Sequence, residues 1–433
     1  MKIAIITAGG AGMFCGSCMQ DNTLARALRQ AGHDAVLVPT YTPIRVDEED
    51  VSSDRVFMGG VNVYLDSTVP GWSRLPRFLK SWLDRPGILR TLTRRSSATD
   101  ATQLGWLTVD MLKGEHGPQR DEIRQLVSWL TDELQPDLVL FSNALLSGIV
   151  PVLRQAFDKP IACLLQGDDI FLNALPAKWK KHSIKLIRDN SQYFDGLLTH
   201  SRWYADHLSE SIGLPRDRFQ QIPLSLDCNV PDSSSEETAR SSDRTIGYFA
   251  RICPEKGVGN FLDAVERLAP TDETLHFHLA GFLPELHRAW FENRLTEIQA
   301  KMGNERVQWL GSPATRNEKF DILRSFDLLC VPSNYREPKG IFVLEAALVG
   351  LPALLPAHGA FPERIADLGH GWTYDPNFSG ALNNGILKAI AAVGKHSRQN
   401  LQQKVIERFS TDVTGPAIGQ LLESIRPMHT VRD

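Results

Sequence analysis

Residues 1–39 read MKIAIITAGGAGMFCGSCMQDNTLARALRQAGHDAVLVP. Lys2–Thr7 has the unbroken apolar character of a buried strand, and Gly9–Gly16 is a glycine-rich turn. Met19–Gln30 carries a helical pattern that stops at Gly32, and Ala35–Pro39 is the next strand. Strand, glycine turn, helix and strand make a βαβ unit, the entry to a parallel, doubly wound sheet.

Outward from that unit the alternation continues. Leu138–Phe141, Ile161–Leu165, Gly196–Thr199 and Gln220–Ile222 are strand candidates, with helical patterns such as Asp121–Leu134 and Ala205–Ser211 between them. Asn229–Arg244 (NVPDSSSEETARSSDR) is polar and serine-rich, the composition of a linker. After it the alternation restarts. Strands are expected at Thr245–Ala250, Leu275–Ala280, Val307–Leu310, Leu328–Pro332 and Ala353–Pro356. Helices are expected at Val258–Leu268, Glu285–Met302, Lys319–Phe326 and Phe342–Val349. The fold class is therefore α/β, with two Rossmann-like, doubly wound parallel-sheet domains at 1–228 and 245–408, a linker at 229–244 and a terminal segment at 409–433. Two open sheets imply a cleft between them, the usual place for a ligand.

The 433 residues suit two domains rather than one core. A formal charge of −4 argues against a nucleic-acid partner, whose footprint would be strongly basic. No apolar run reaches the roughly 18–20 residues of a membrane span, and no cleavage site follows the opening strand, so no signal peptide is expected. Six cysteines are too sparse for a disulfide framework, which points to a reducing cytoplasm.

Three constellations in the second half carry chemistry. Tyr248-Phe249-Ala250-Arg251-Ile252-Cys253-Pro254-Glu255-Lys256-Gly257 joins a strand to a helix. Its Arg251 and Lys256 are suited to a diphosphate, one as a fork and one as a point charge. Glu337-Pro338-Lys339-Gly340-Ile341-Phe342-Val343-Leu344-Glu345 sets one carboxylate on a loop and a second inside the following helix. The helix start at Gly340, Ile341 and Phe342 offers unpaired N–H groups to phosphate oxygens. Carboxylates accept hydrogen bonds from vicinal hydroxyls, so Glu345 suits a ribose and Glu337 a sugar. Both glutamates could instead be ordinary surface or helix charges. Pro356–Glu363 is a third strand-end turn bordering the same crevice.

Taken in order, these residues resemble the donor site of the family 4 glycosyltransferases, which have the GT-B fold. Arg251, Lys256 and Gly257 meet the Arg-x4-Lys-Gly pattern, and Glu337 and Glu345 meet the E-x7-E pattern after Pro332-Ser333. The resemblance extends to Gly32-His33 and Phe409-Ser410. It implies an acceptor-side N-terminal domain, a donor-binding C-terminal domain, and a final helix near Thr411–Ile425 crossing back to the first domain. It further implies a nucleotide-diphosphate sugar as donor substrate, transfer with retention of configuration, and neither metal nor cofactor. On the same basis Gly16 carries a backbone contact to the donor diphosphate, with Cys15 standing where the family has glycine. Gln166 stands where the family often has a histidine that touches the transferred sugar. Asp168 is either a sugar ligand or a helix N-cap.

Other features have their own readings. Cys15-Gly16-Ser17-Cys18 could shape the donor loop, sense redox state or form half a metal site; one C-x-x-C alone does not make a structural zinc site. His276 and His278 share a strand face and read as sheet packing. Trp72–Arg95 carries seven Lys or Arg residues against Asp84 alone, interleaved with Trp72, Phe78 and Trp82. It could rest peripherally on the inner face of an anionic membrane or guide a lipid-linked or phosphorylated acceptor, or it could be a solvated flap over the acceptor site. Pro76 and Pro86 exclude one long amphipathic helix.

The reading that follows is a hexosyltransferase-type enzyme with an open acceptor, either a glycan or a lipid-linked molecule. A nucleotide-sugar 2-epimerase and a non-catalytic sugar-nucleotide sensor share the architecture. A dinucleotide-dependent oxidoreductase is disfavoured, because the Gly9–Gly16 turn lacks G-x-G-x-x-G and no acid ends the second strand.

Overall fold

A computed structural model describes residues 1–9, 16–58, 105–230, 243–395 and 397–427. Cys15, the basic segment Trp72–Arg95 and residues 231–242 of the expected linker lie outside the described residues. The chain divides into two α/β units, one comprising Met1–Ser225 with the segment from Thr411, the other Leu226–Ser410.

In the first unit the strands are β1 (Lys2–Thr7), β2 (Asp34–Pro39), β3 (Leu138–Phe141), β4 (Ile161–Leu165), β5 (Gly196–Thr199) and β6 (Phe219–Gln221). They pair in the order β2-β1-β3-β4-β5-β6, every pair parallel. Side chains alternate between two buried faces. Ile3, Ile5, Leu138, Leu140 and Leu164 pack with Leu24 and Leu28 of the Gly16–Gln30 helix. Ala4, Ile6, Val139, Phe141 and Leu165 pack with Leu126 and Tyr204 on the other side. Burial on both faces is why these strands are apolar runs rather than alternating ones.

The Thr411–Ser424 helix belongs to this first unit. It buries Thr414, Gly415, Ile418, Gly419 and Leu422, and Ile418 and Leu422 join the cluster containing Leu24 and Leu28. The approach to the Gly16–Gln30 helix is close. A Cβ at Gly415 would lie 2.3 Å from the Ala27 carbonyl oxygen. The hydroxyls of Thr414 and Ser225 are 2.8 Å apart beside it.

In the second unit β7 (Arg244–Phe249), β8 (Leu275–Ala280), β9 (Val307–Trp309), β10 (Leu328–Cys330), β11 (Ala353–Pro356) and β12 (Trp372–Tyr374) form a second parallel sheet. Its order is β12-β11-β10-β7-β8-β9. The chain therefore winds outward one way through β8 and β9 and the other way through β11 and β12. The order reverses between β7 and β10, and loops leaving the carboxyl ends of such a strand pair open a crevice suited to ligands.

Three details depart from expectation. The Asp121–Leu134 pattern is an α-helix only over Arg120–Ser128, followed by a wider π-type turn at Trp129–Leu134. There Thr131 Oγ1 donates to the Val127 carbonyl at 3.1 Å, a competing side-chain bond that loosens a helix. β10 ends at Cys330, ahead of Pro332. β12 was not foreseen; Trp372-Thr373-Tyr374 is a three-residue edge strand with little burial to mark it. No helix among the described residues is long and apolar enough to cross a membrane.

Replacing Gly415 by Val should force the Thr411–Ser424 helix off its partner, because the obstructing atom is backbone. We expect a loss of about 1–3 kcal/mol in chemical denaturation, the usual range for overpacking. Gly394→Ala, where nothing lies within 4 Å of the added carbon, should stay within about 0.5 kcal/mol.

Candidate functional site

The loop that follows β7 is shaped by a residue inside the strand. Tyr248 is fully buried, and its hydroxyl lies 3.0 Å from the Arg251 carbonyl and 3.2 Å from that of Lys256. Burial pushes the tyrosine pKa well above its ordinary value, so the hydroxyl remains a donor. It staples both ends of the basic loop to the sheet. Gly257 then turns the chain into the Val258–Leu268 helix at φ 71°. A Cβ there would sit 1.7 Å from the Pro332 carbonyl oxygen, so glycine is what lets the two loops touch.

The touching loop is the one that leaves β10. The Glu255 carbonyl oxygen accepts from Ser333 Oγ, Asn334 N and Tyr335 N, each at 3.0 Å. Asn334 Nδ2 donates to Pro254 O at 2.8 Å. The turn after β11 braces this loop from behind. Ala360 N donates to the Glu337 carbonyl at 2.7 Å, and His358 Nε2 donates to the Ser333 carbonyl at 3.1 Å. Since a carbonyl only accepts, that bond fixes the histidine tautomer, and burial keeps its pKa low.

These braces bring Lys256 and Glu337 together. Lys256 Nζ donates to Glu337 Oε2, and the two side chains are only 18% and 11% exposed. The ammonium also lies 5.9 Å from the Tyr335 ring centre and 5.7 Å from that of Phe342. Gly340, at φ 76°, precedes the Ile341–Leu348 helix, whose first N–H groups at Ile341 and Phe342 have no carbonyl of their own helix to meet. Arg251 is exposed on the same loop as Lys256. Glu345 stands apart from this group: its Oε1 accepts from Lys319 Nζ at 2.8 Å, and both side chains are largely buried.

The first unit has its own polar cluster at the carboxyl ends of β1 and β4. Gln166 Nε2 donates to Asp21 Oδ1 at 2.7 Å, and Thr7 Oγ1 donates to Asp21 Oδ2 at 2.7 Å. Asp21 is fully buried on the helix that Gly16 begins. A carboxylate only accepts, so it turns the nitrogen of the Gln166 amide inward and the oxygen away. Asp168 is the first residue of the Asp168–Ala174 helix rather than its cap, which is Gly167. Its oxygens accept from Ala144 N at 2.6 Å and Gln166 N at 3.0 Å. Burial raises its pKa from 3.8 to about 6, against the lowering pull of those N–H groups. Gly16 is exposed, with open space where a side chain would project.

Sequence reading missed Tyr248, Ser333, His358 and Asp21. Tyr248 reads as core, and the others read as a loop hydroxyl, a turn residue and a helix charge. His276 and His278 pack ring to ring at 6.3 Å, and the described residues contain no group of three or more His, Cys, Asp or Glu placed to hold a metal. Cys18 is buried.

Two parallel doubly wound sheets, the second with its basic and acidic loops at the point where strand order reverses, define the GT-B class of fold. Solved structures of that class align along nearly the whole chain. Anabaena HepE in complex with UDP matches at 17% identity and a TM-score of 0.65, covering 98% of this chain and 100% of that one. Sucrose-phosphate synthase from Thermosynechococcus elongatus matches at 16% identity and a TM-score of 0.66, covering 98% of each chain. Residues 230–408 match the family model of glycosyl transferases group 1. Mannosylfructose-phosphate synthase of Agrobacterium fabrum is 28% identical over 181 residues, or 40% of this chain. Alpha-1,3/1,6-mannosyltransferase alg-2 of Neurospora crassa is 27% identical over 188 residues, or 42% of this chain. The chain matches 39% of the length of each of these two relatives.

Two outcomes test the geometry. Tyr248→Phe should cost about 1–2 kcal/mol in urea unfolding, the range for a lost buried hydrogen bond, and should speed hydrogen exchange at the Lys256 and Gly257 amides. Asp168 has a folded-state pKa above its unfolded value. The stability it contributes is therefore fully present below pH 3.8 and lost as pH rises through about 6. Relative to Asp168→Asn, the protein should lose about 3 kcal/mol of unfolding free energy between those limits, read from denaturation curves taken across pH.

Proposed function

We propose that this chain transfers a hexose from a nucleotide-diphosphate sugar to a hydroxyl acceptor, with retention of configuration at the anomeric carbon. The observation that carries the reading is the Lys256–Glu337 pair beside Gly340, at the strand-order reversal of the second sheet. A cation and a carboxylate in contact can serve the two halves of such a donor, which is anionic at its diphosphate and rich in hydroxyls at its sugar.

Transfer requires the bond from the anomeric carbon to the diphosphate to break while negative charge builds on the departing phosphate. Lys256, Arg251 and the opening N–H groups of the Ile341–Leu348 helix can meet that charge from positions set before the reaction. Glu337 accepts from sugar hydroxyls. Glu345 has acceptor capacity beyond the single bond from Lys319 and suits ribose hydroxyls. In the first unit Gln166, oriented by Asp21, is the amide that this reading assigns to the transferred sugar. In a front-face reaction the leaving phosphate takes the acceptor proton, so no protein base is needed. The panel of nucleotides to test follows from the relatives: HepE was solved with UDP and UDP-glucose, and the starch synthase IV catalytic domain of Arabidopsis thaliana with ADP and acarbose.

Thermal-shift screening with UDP-glucose, ADP-glucose and GDP-mannose should show one clear stabiliser. At a hundredfold excess over its dissociation constant the gain is about 2.7 kcal/mol. Lys256→Ala and Glu337→Gln should each lower acceptor-free hydrolysis of that donor by about 10²-fold or more, the usual loss for a group that stabilises charge in the transition state. Unchanged turnover in both variants would remove the assignment.

A further inference from the structure

The Lys256–Glu337 contact has a thermodynamic consequence for how ligands enter and leave. It rests on the donor reading above. Without a ligand, the partly buried cation of the basic loop is not presented to solvent as a bare charge. Glu337 neutralises it, and two aromatic faces flank it. A diphosphate that draws Lys256 to itself must take the ammonium from Glu337. That leaves a largely buried carboxylate without its cation and close to the new anion.

The partners differ in freedom. Glu337 is held through its backbone, since its carbonyl accepts from Ala360 N at 2.7 Å and a Cβ at Gly359 would lie 2.6 Å from its nitrogen. Lys256 is anchored at its backbone by Tyr248 and by the bond from its N–H to Cys253 O at 3.1 Å, and its ammonium meets Glu337 and the two ring faces. Its four-carbon stem can swing. With both backbones anchored, the longer lysine stem gives the ammonium the greater reach, and in the exchange it is the ammonium that moves.

We propose that Lys256 and Glu337 form an exchange pair that couples recognition of the sugar to recognition of the diphosphate. Diphosphate arrival releases Glu337, and only a ligand that also carries sugar hydroxyls re-satisfies that carboxylate. A nucleoside diphosphate alone takes the lysine and leaves the glutamate stranded. The site thereby favours the intact donor over the diphosphate product, and re-formation of the pair helps expel that product after transfer.

The exchange makes a prediction of opposite sign for two ligands at one residue. Probes are the best stabiliser among UDP-glucose, ADP-glucose and GDP-mannose, together with its own nucleoside diphosphate. Affinities are measured by calorimetry on the full chain, wild type against Glu337→Gln. The glutamine is nearly isosteric and should leave the ligand-free melting profile cooperative; Glu337→Ser serves as a second variant if it does not.

Glu337→Gln should bind the nucleoside diphosphate more tightly, by about fivefold or more, since Lys256 no longer has to leave a carboxylate; fivefold corresponds to about 1 kcal/mol. The same variant should bind the sugar nucleotide more weakly than wild type, and its hydrolysis should become more sensitive to inhibition by the diphosphate product. Unchanged or weaker diphosphate binding in the variant, alongside normal binding by wild type, overturns the exchange and leaves the donor reading standing. If wild type binds none of the probes, the donor reading falls and the exchange with it.

Discussion

The second unit's site depends on one close backbone approach, that of Gly257 to Pro332. A side chain at position 257 would occupy the place of the Pro332 carbonyl oxygen, 1.7 Å from its own Cβ. With glycine there, the loops leaving β7 and β10 lie against each other. The Glu255 carbonyl can then gather one hydroxyl and two amide donors from Ser333, Asn334 and Tyr335. Everything polar at the site is aimed by that seam. Lys256 is the residue before the glycine, and Glu337 is two residues past Tyr335. The parallel sheet supplies the rest, because only where the strand order reverses do neighbouring loops diverge and leave room beside such a seam.

Pairing the lysine with an acid is what the burial of both side chains demands. An isolated ammonium at this depth would lose hydration with nothing to replace it, and the penalty for a buried charge in a real protein is several kcal/mol. Glu337 offsets that cost in the ligand-free chain, and the rings of Tyr335 and Phe342 add a weaker electrostatic attraction. Arg251, on the same loop but exposed, needs no such partner because water solvates it. The two cations of the motif are therefore unlike in kind. One is an exposed surface charge, and the other is paired with an acid and flanked by two rings.

How much of this was legible in the sequence follows from the range of each interaction. Strands buried on both faces announce themselves as apolar runs, which is why β1, β3, β4, β5 and β11 match the expected segments residue for residue, and β8 does so through its alternation. β12 has one intermediate residue on either side of an exposed threonine and carried no such signal. Spacing brought out Lys256, Glu337 and Gly340 as site residues, since loop, strand end and helix start are local features. Local reasoning could not show that Lys256 reaches Glu337 across 81 positions, or that Glu345 answers Lys319 rather than a ligand alone. It also passed over Tyr248, whose ring is core and whose hydroxyl shapes the loop. A residue with an apolar body and a polar tip gives only the first half of its role to a hydropathy pattern.

The two units surround a candidate hydroxyl-binding acid or amide with different electrostatics. At the end of β4, the buried acid Asp21 turns a neutral amide, Gln166, and accepts from the Thr7 hydroxyl beside it. At the end of β7, the acid instead faces a lysine. A neutral amide gives directional recognition of a hydroxyl and cannot be drawn away by an anion. An ion pair responds to any anion that arrives, and its acid is exposed by that response. Recognition of a sugar suits the first arrangement, because hydroxyls carry no charge to exchange. Recognition of a molecule that is charged at one end and hydroxylated at the other suits the second, because the same event that neutralises the phosphate uncovers the acceptor its sugar needs. The distinction lies in the partners of the two acids rather than in the acids themselves.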